Sequence, residues 1–375
     1  MKQSKVFVLI AVFFVIALFA CSKNNTNQNS QVANNNAIKI GLITDLGGIN
    51  DHSFNQLSYE GLKALHEMNP NISISYLESK SFADYNLNIE TYVNEGCDLI
   101  IGVGATFIET IKEASKNYPN QKFMINGVTI GEDRPNVACL VFANEEAGYL
   151  AGVTAAMKTQ TNTIGYIQGM ETEVLNLFGI GYVQGAKSIN KDVKILMYNA
   201  NNFADITGGN VAATNMIKNK ADVIYQMAGA TGIGVINACA DNKVFAIGSD
   251  TDQSVISKDA VLLSVLQYVD RAVVDYVLDM IDNGFKSGII LNNIKNDKID
   301  LAYNDTILPK EIKDKLESVK KDIDSFKTST SDGFQYPAVI KNVGTSLSIV
   351  SKDVSNSIGS IQNRRKVRRT TQKIY

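Results

Sequence analysis

Short runs of aliphatic and β-branched residues alternate with longer amphipathic segments along most of this chain. The short runs predict strands, and apolar positions spaced three and four residues apart predict helices. In the first half, strands are predicted at 38–44, 72–77, 99–103, 122–125 and 137–141, and helices at 54–68, 84–95, 107–118 and 145–157. Strands that alternate with helices form a parallel sheet covered on both faces. The first half therefore predicts a doubly wound α/β lobe.

The same alternation starts again in the second half of the chain. Strands are predicted at 163–167, 193–198, 223–226 and 244–248, and helices at 174–189, 208–218 and 232–240. Segments 262–266 and 268–282 are expected to cross back or to pack at a hinge, and 310–326 predicts a final amphipathic helix. We therefore place an N-terminal lobe at 38–160, a C-terminal lobe with hinge crossovers at 161–290 and a helix with a closing segment at 291–337. Two similar α/β lobes in succession are typical of a bilobal binding protein.

The first residues predict export and a lipid anchor. Lys2 and Lys5 precede an apolar run over 6–20 that ends in small residues, which describes a secretory signal. The run is shorter than the roughly 20 residues that span a bilayer. Leu-x-Ala directly before Cys21 is the pattern at which bacterial lipoprotein signals are cut; the alternative is an ordinary signal peptide with an incidental cysteine. We predict a signal peptide at 1–20, lipidation of Cys21 and an extracytoplasmic protein anchored to the cell membrane.

Two polar segments flank the predicted body. Residues 21–37 are rich in Asn, Gln and Ser and predict a flexible tether. Residues 338–375 contain the basic run Arg364–Arg369. This tail is interpreted as solvated, with contact to anionic lipid headgroups as the alternative.

Composition excludes several classes of function. The chain is 45% hydrophobic and 20% charged with a formal net charge of −2, so no basic excess indicates nucleic-acid binding. Cys97, Cys139 and Cys239 are widely spaced and predict buried hydrophobes rather than metal ligands. We therefore expect no metal and no cofactor.

The loops that follow the strands carry the candidate ligand chemistry, because ligands of open parallel sheets bind beyond the carboxyl ends of the strands. Asp45 follows the first strand directly, and Asp250 takes the corresponding place one lobe later. Asp51 or Ser53 caps the next helix, and for Asp51 we favour this structural role over a contact with the ligand. Phe54 belongs to the core or offers a stacking surface to a planar ligand. Two carboxylates and an aromatic plate suggest a ligand with hydroxyl groups and a flat ring.

Catalytic patterns are weak. The glycine-rich turn at 102–106 is neither a dinucleotide-binding fingerprint nor a P-loop. The histidines are His52 and His66, and no nucleophile-elbow or zinc-protease pattern is present. We therefore predict a binding protein with no catalytic residues, although paired aspartates leave a nucleoside hydrolase as a further alternative.

Six segments together resemble the basic membrane protein family of lipoproteins, typified by the purine nucleoside receptor A group. They are DLGGINDHSFN at 45–55, FANEEAGYLAG at 142–152, GIGYVQGA at 179–186, AGATGIGV at 228–235, IGSDTDQ at 247–253 and SVLQYVD at 264–270. Each is weak alone, but their order and spacing over roughly 38–327 are specific. The resemblance implies the type I periplasmic-binding-protein fold with a nucleoside held between the lobes.

The resemblance also implies roles for individual residues. Asp45 and Asn55 would contact the base or hold the loop that does so, and Phe54 would stack on the purine. Asp250 would accept hydrogen bonds from ribose hydroxyls. Gly229 would let the backbone approach the ligand.

Three further positions concern specificity. A second aromatic is expected across the base, with Phe178 as the candidate and Phe203 and Tyr182 as rivals. The family usually has an acid where this chain has Asn126 and a lysine where it has Gln267. Both are predicted to contact the ligand, and the two changes remove opposite charges while retaining polar groups.

The function implied is capture of a purine nucleoside such as inosine, guanosine or adenosine and its delivery to the permease of an ABC importer. The chain is expected to be monomeric. A surface adhesin or host-matrix binder is the alternative, because a lipid anchor and a basic tail are compatible with it.

Overall fold

The computed structural model describes residues 37–328, apart from the side chains of 173–174 and 324–328. The predicted signal peptide, Cys21, almost all of the tether and the basic tail lie outside the described residues. Within the described part, no helix is both long and apolar enough to cross a membrane.

The first half of the chain alternates strands with helices, as its hydrophobic pattern predicts. The elements are β1 (Ile38–Ile43), α1 (Phe54–Met68), β2 (Ile72–Leu77), α2 (Asp84–Asn94), β3 (Leu99–Val103), α3 (Ile108–Asn117), β4 (Lys122–Asn126), β5 (Val137–Phe142) and α4 (Asn144–Lys158). Strands β3 and β4 are almost wholly buried, because helices cover both faces of the sheet.

The second half repeats this pattern and then returns to the first lobe. Its elements are β6 (Thr163–Gln168), α5 (Glu173–Ile189), β7 (Lys194–Asn199), α6 (Ile206–Lys218), β8 (Val223–Met227), α7 (Ala230–Asp241), β9 (Phe245–Asp250), β10 (Val261–Gln267), α8 (Val269–Asn283), β11 (Gly288–Asn292), β12 (Ile299–Tyr303) and α9 (Lys310–Thr328).

Two six-stranded sheets result, one in each lobe. Their strand orders are β11-β5-β4-β3-β1-β2 and β12-β10-β9-β8-β6-β7. All neighbours pair in parallel except β10 and β12, which are antiparallel. The predicted fold class, two doubly wound α/β lobes with parallel sheets, is confirmed.

The chain passes between the lobes three times: through α4, through α8, and between β11 and β12. Strand β10 stays in the second sheet, and α8 brings the chain back to the first. These crossings connect the edges that carry β5, β11, β10 and β12 and define the hinge side of the molecule.

Helices α4 and α5 approach each other so closely that only glycine fits at their contact. A Cβ added at Gly148 would lie 2.1 Å from the carbonyl oxygen of Phe178, and one at Gly152 would lie 2.1 Å from that of Tyr182. On the α5 side of the contact, a Cβ added at Gly185 would lie 2.0 Å from the carbonyl oxygen of Tyr149. This backbone contact fixes the part of α5 that faces the cleft.

Candidate functional site

A cavity lies between the two lobes at the carboxyl ends of their strands. About 650 Å³ of empty space lies within it, counting the part that is open to solvent. Its lining residues are Asp45, Gly47, Asp51, Ser53, Phe54, Gly104, Ala105, Gly127, Val128 and Asn144 from the first lobe and its crossover, and Leu175, Phe178, Phe203, Met227, Gly229 and Asp250 from the second.

The loop after β1 is held by reciprocal polar contacts. Nδ2 of Asn55 donates to Oδ1 of Asp45 at 2.7 Å, and the backbone N–H of Asp45 donates to Oδ1 of Asn55 at 3.1 Å. The N–H of Gly47 donates to the same Asp45 oxygen at 2.8 Å. Asn55 is 1% exposed and is not part of the cavity lining. In this structure it therefore holds the loop, which was one of the two roles expected for it.

Asp51 takes the capping role at the start of α1. Its Oδ1 accepts from the N–H groups of Ser53 and Gln56, at 2.9 and 3.1 Å, and its Oδ2 accepts from the N–H of Asn55 at 3.1 Å. The carboxylate thereby satisfies backbone donors that have no partner within the helix. Asp51 also lines the cavity.

Phe54 forms part of the cavity wall in the first lobe. Its ring packs edge-to-face on Phe142 with the ring centroids 5.6 Å apart, and it passes close to Gly127. A Cβ at Gly127 would lie 2.8 Å from Cε1 of Phe54, and the φ of +94° at this residue also favours glycine. The ring is thus supported from behind while it faces the cavity.

Two of the three candidates for the second aromatic reach the cavity from the other lobe. Phe178, on α5, and Phe203, in the loop after β7, both line it. Tyr182 does not, because it is fully buried in a cluster with Tyr166 and Tyr225, at centroid distances of 5.8 and 5.6 Å.

Asp250 and Gly229 reach the cavity through unusual backbone conformations. Gly229 precedes α7 with a φ of +54°, and Asp250 ends β9 with a φ of +67°. Oδ2 of Asp250 accepts from Oγ of Ser53 at 2.5 Å, whereas its Oδ1 is buried and has no hydrogen-bond partner among the described residues. Asp250 therefore has one oxygen available to a ligand.

Asn126 and Gln267 lie behind the cavity wall rather than in it. Nδ2 of Asn126 donates to Oγ of Ser58 at 2.8 Å, and Nε2 of Gln267 donates to Oδ1 of Asn144 at 2.9 Å. The two amides are not hydrogen-bonded to each other, and within the described part of the chain neither Oδ1 of Asn126 nor Oε1 of Gln267 has a partner. Among these four residues only Asn144 lines the cavity, and the ligand contact expected of Asn126 and Gln267 stays a prediction.

The cavity is lined by carboxylate hydrogen-bond acceptors and by no cationic side chain. Burial, assisted by the charge of Asp51, raises the pKa of Asp45 to about 6. Burial also raises the pKa of Asp51. It raises the pKa of Asp250 to about 7, and the negative charge of Asp51 contributes to this rise as well. The lining residues include no Lys, Arg or His, and the described residues hold no cluster suited to a metal ion. The cavity therefore suits a neutral ligand that donates hydrogen bonds and has a flat apolar part.

Sequence reasoning missed several lining residues. Met227 ends β8, Val128 follows β4 and Asn144 begins α4, so the rule of inspecting strand ends would have found them. Leu175 lies on the first turn of α5, and its apolar side chain does not distinguish a cavity position from a core position. Ser53 was considered only as a helix cap.

Comparison with known proteins gives matches over most of the chain. Residues 37–331 match the profile of a family described as ABC transporter substrate-binding protein PnrA-like. The ABC transporter nucleoside-binding protein BmpA of Lactococcus lactis is 35% identical over 335 residues, which cover 84% of this chain and 94% of that protein. Basic membrane protein A of Borreliella burgdorferi is 30% identical, covering 76% of this chain and 85% of its own length.

Two further matches come from an archaeal lipoprotein and a solved structure. An uncharacterized lipoprotein of Pyrococcus horikoshii is 30% identical, covering 80% of this chain and 77% of that protein. The crystal structure of an ABC transporter solute-binding protein from Aeropyrum pernix superposes with a TM-score of 0.71 at 24% identity, covering 77% of this chain and 91% of its own. At that identity the likeness shows the fold alone.

Proposed function

The chain belongs to the family of PnrA-like ABC transporter substrate-binding proteins, and we propose that it captures a purine nucleoside between its lobes and delivers it to the permease of an ABC importer. Its two lobes have the type I periplasmic-binding-protein architecture. The family consists of substrate-binding proteins rather than enzymes.

One observation carries the proposal: the interlobe cavity combines aromatic side chains from both lobes with buried carboxylate acceptors and no lining cation. Phe54 faces it from one lobe, and Phe178 and Phe203 from the other. A purine base offers two flat faces to such rings, and its sugar offers hydroxyl donors to carboxylates such as Asp250. A phosphate would meet acceptors and no positive partner, so the arrangement favours nucleosides over nucleotides.

Calorimetric titration of the full-length chain, purified in detergent, tests this proposal. Inosine, guanosine and adenosine are expected to bind more tightly than uridine, cytidine or free ribose, and inosine monophosphate is expected to bind weakly. Absence of purine nucleoside binding would refute the proposal. Release of free ribose from inosine on long incubation would instead indicate a hydrolase.

Attachment to the membrane through Cys21 is part of the same proposal. The sequence before Cys21 supports it, and a homologue of P. horikoshii is named a lipoprotein. Metabolic labelling with radioactive palmitate is expected to mark the wild-type chain and not a Cys21→Ala variant. Equal labelling of both would place the lipid elsewhere.

A further inference from the structure

Ser53 directly precedes α1, in the N-cap position, but its side chain does not cap the helix. A serine at this position usually accepts a hydrogen bond from a backbone N–H in the first turn of the helix, yet the Ser53 side chain makes no such bond. Asp51 binds the backbone N–H groups of Asn55 and Gln56 instead. The Ser53 hydroxyl is thereby released from the usual local role of a serine at a helix start.

That hydroxyl reaches across the cleft. It donates to Oδ2 of Asp250 at 2.5 Å, and the two residues are only 6% and 4% exposed. Asp250 has a φ of +67°, a conformation that residues other than glycine rarely adopt. The carboxylate of one lobe is thus fixed by a hydroxyl of the other. Asp250 lines the cavity, and its Oδ1 has no hydrogen-bond partner among the described residues.

A second contact lies beside the first, and together they form a seam between residues 52–53 and 250–253. The carbonyl oxygen of His52 accepts from Oγ1 of Thr251 at 3.0 Å and from Nε2 of Gln253 at 3.4 Å. His52 also has a positive φ, of +52°. Two non-glycine residues in the left-handed region therefore face each other across the seam, one from each lobe.

We propose that Ser53 is a positioning residue, which orients Asp250 from the opposite lobe so that a single carboxylate oxygen, Oδ1, reads a hydroxyl group of the ligand. Because the Ser53 hydroxyl donates a hydrogen bond, it favours the ionised form of the Asp250 carboxylate. Oδ1 is then an acceptor and selects ligands that have a hydrogen-bond donor. Because the bond joins the two lobes, the hydroxyl-reading group is complete only while the lobes are in contact. This inference rests on the proposed binding of nucleosides.

Two variants separate this role from general support of the seam. Ser53→Ala removes the hydroxyl that holds Asp250, and Thr251→Val removes a neighbouring seam hydroxyl but leaves Asp250 held. Affinities for inosine and 2′,3′-dideoxyinosine are measured by calorimetry on the full-length chain in detergent. Loss of a hydrogen bond to a charged group lowers the affinity roughly tenfold or more. The wild-type chain is therefore expected to bind inosine more tightly than 2′,3′-dideoxyinosine by about that factor.

Ser53→Ala is expected to reduce this preference to about threefold or less. Thr251→Val is expected to weaken the binding of both ligands equally and so to retain the preference for inosine. Ser53→Thr, which retains a hydroxyl, is expected to restore the preference. If Ser53→Ala binds inosine and discriminates as well as the wild-type chain, the positioning role is refuted and the proposed function stands. If the wild-type chain binds neither ligand, the proposed function fails first and the inference with it.

Thermal unfolding followed by circular dichroism establishes that each variant is folded. Should Ser53→Ala not fold, Ser53→Gly makes the same test, because glycine is well tolerated at the start of a helix. A Ser53→Gly chain that retains the wild-type preference would overturn the proposal in the same way.

Discussion

Asp45 and Asn55 hold each other in a reciprocal pair, in which the amide Nδ2 donates to the carboxylate at 2.7 Å and the backbone N–H of Asp45 donates back at 3.1 Å. The pair closes the loop between β1 and α1 on itself. The cavity face of that loop therefore depends on a side chain that does not line the cavity.

Asn55→Ala is expected to weaken both the fold and the site. The amide Nδ2 of Asn55 donates to Oδ1 of Asp45 and, at 2.8 Å, to Oδ2 of Asp51. Its removal leaves both buried carboxylates short of a donor, a loss of about 2–3 kcal/mol in the free energy of unfolding. Inosine affinity is expected to fall about tenfold as the loop loosens. Urea unfolding and calorimetry measure the two effects. Asn117→Ala, at the exposed end of α3, is the matched control and is expected to change neither.

The Phe54 ring gives a second prediction. Phe54→Ala removes an aromatic plate and is expected to cost about 1.5–3 kcal/mol of binding free energy. Gly127→Ala is expected to weaken binding as well, because the new Cβ would lie 2.8 Å from the ring and φ is +94°. Phe82→Ala removes a phenylalanine that is 57% exposed and serves as the control. Unchanged calorimetric affinity in Phe54→Ala would place the base elsewhere.

The raised pKa values of Asp45 and Asp250 predict opposite effects of pH on stability and on binding. Both carboxyls bind protons more tightly when folded than at their ordinary pKa of 3.8, so between pH about 4 and 7 the native state holds more protons than the unfolded state. Their contribution to the free energy of unfolding is present at low pH and is lost as pH rises through about 6 and then about 7. Nucleoside binding needs the ionised acceptors and should strengthen over the same interval.

Urea unfolding of the ligand-free chain and calorimetry with inosine at pH 5 and pH 8 measure these trends. Asp250→Asn removes the carboxyl whose pKa is raised to about 7, so the change near pH 7 should shrink in both experiments. The like charge of Asp51 also faces this group. Affinity that is independent of pH would mean that neither carboxylate must be ionised to hold the ligand.

The contact between α4 and α5 gives a prediction about stability. Gly148→Ala or Gly185→Ala would force a Cβ to within about 2 Å of a backbone carbonyl oxygen. The helices must separate, which is expected to cost about 3 kcal/mol or more. Gly96→Ala, where nothing lies within 4 Å of the new Cβ but φ is +69°, measures the cost of backbone strain alone and should be milder by urea unfolding.

The sequence predicts best those features that depend on position along a strand. Asp45 and Gly229 follow strands and Asp250 ends one, so the rule for parallel sheets was enough to bring them to one cavity. Asn126 and Gln267 are the last residues of β4 and β10. Side chains alternate between the faces of a sheet, so a terminal strand residue points either into the cleft or behind it, and its exact direction is set by packing.

Features that depend on how two helices or two lobes pack against each other could not be predicted from the sequence. Phe178 and Tyr182 lie one helical turn apart on α5, yet only Phe178 lines the cavity, because Tyr182 lies deeper, against Tyr166 and Tyr225. The bond between Ser53 and Asp250 joins residues 197 positions apart. Its prediction would have required the placement of one lobe against the other.

The glycines between α4 and α5 have a mechanical consequence. Helix α4 belongs by sequence to the crossover from the first sheet, but its backbone lies against α5 of the second lobe. The two helices are therefore expected to move as one unit, which only Ala143 joins to β5 of the first sheet. Phe178 lies at that contact and lines the cavity, so a shift of the pair against the first lobe would displace its ring from the ligand site.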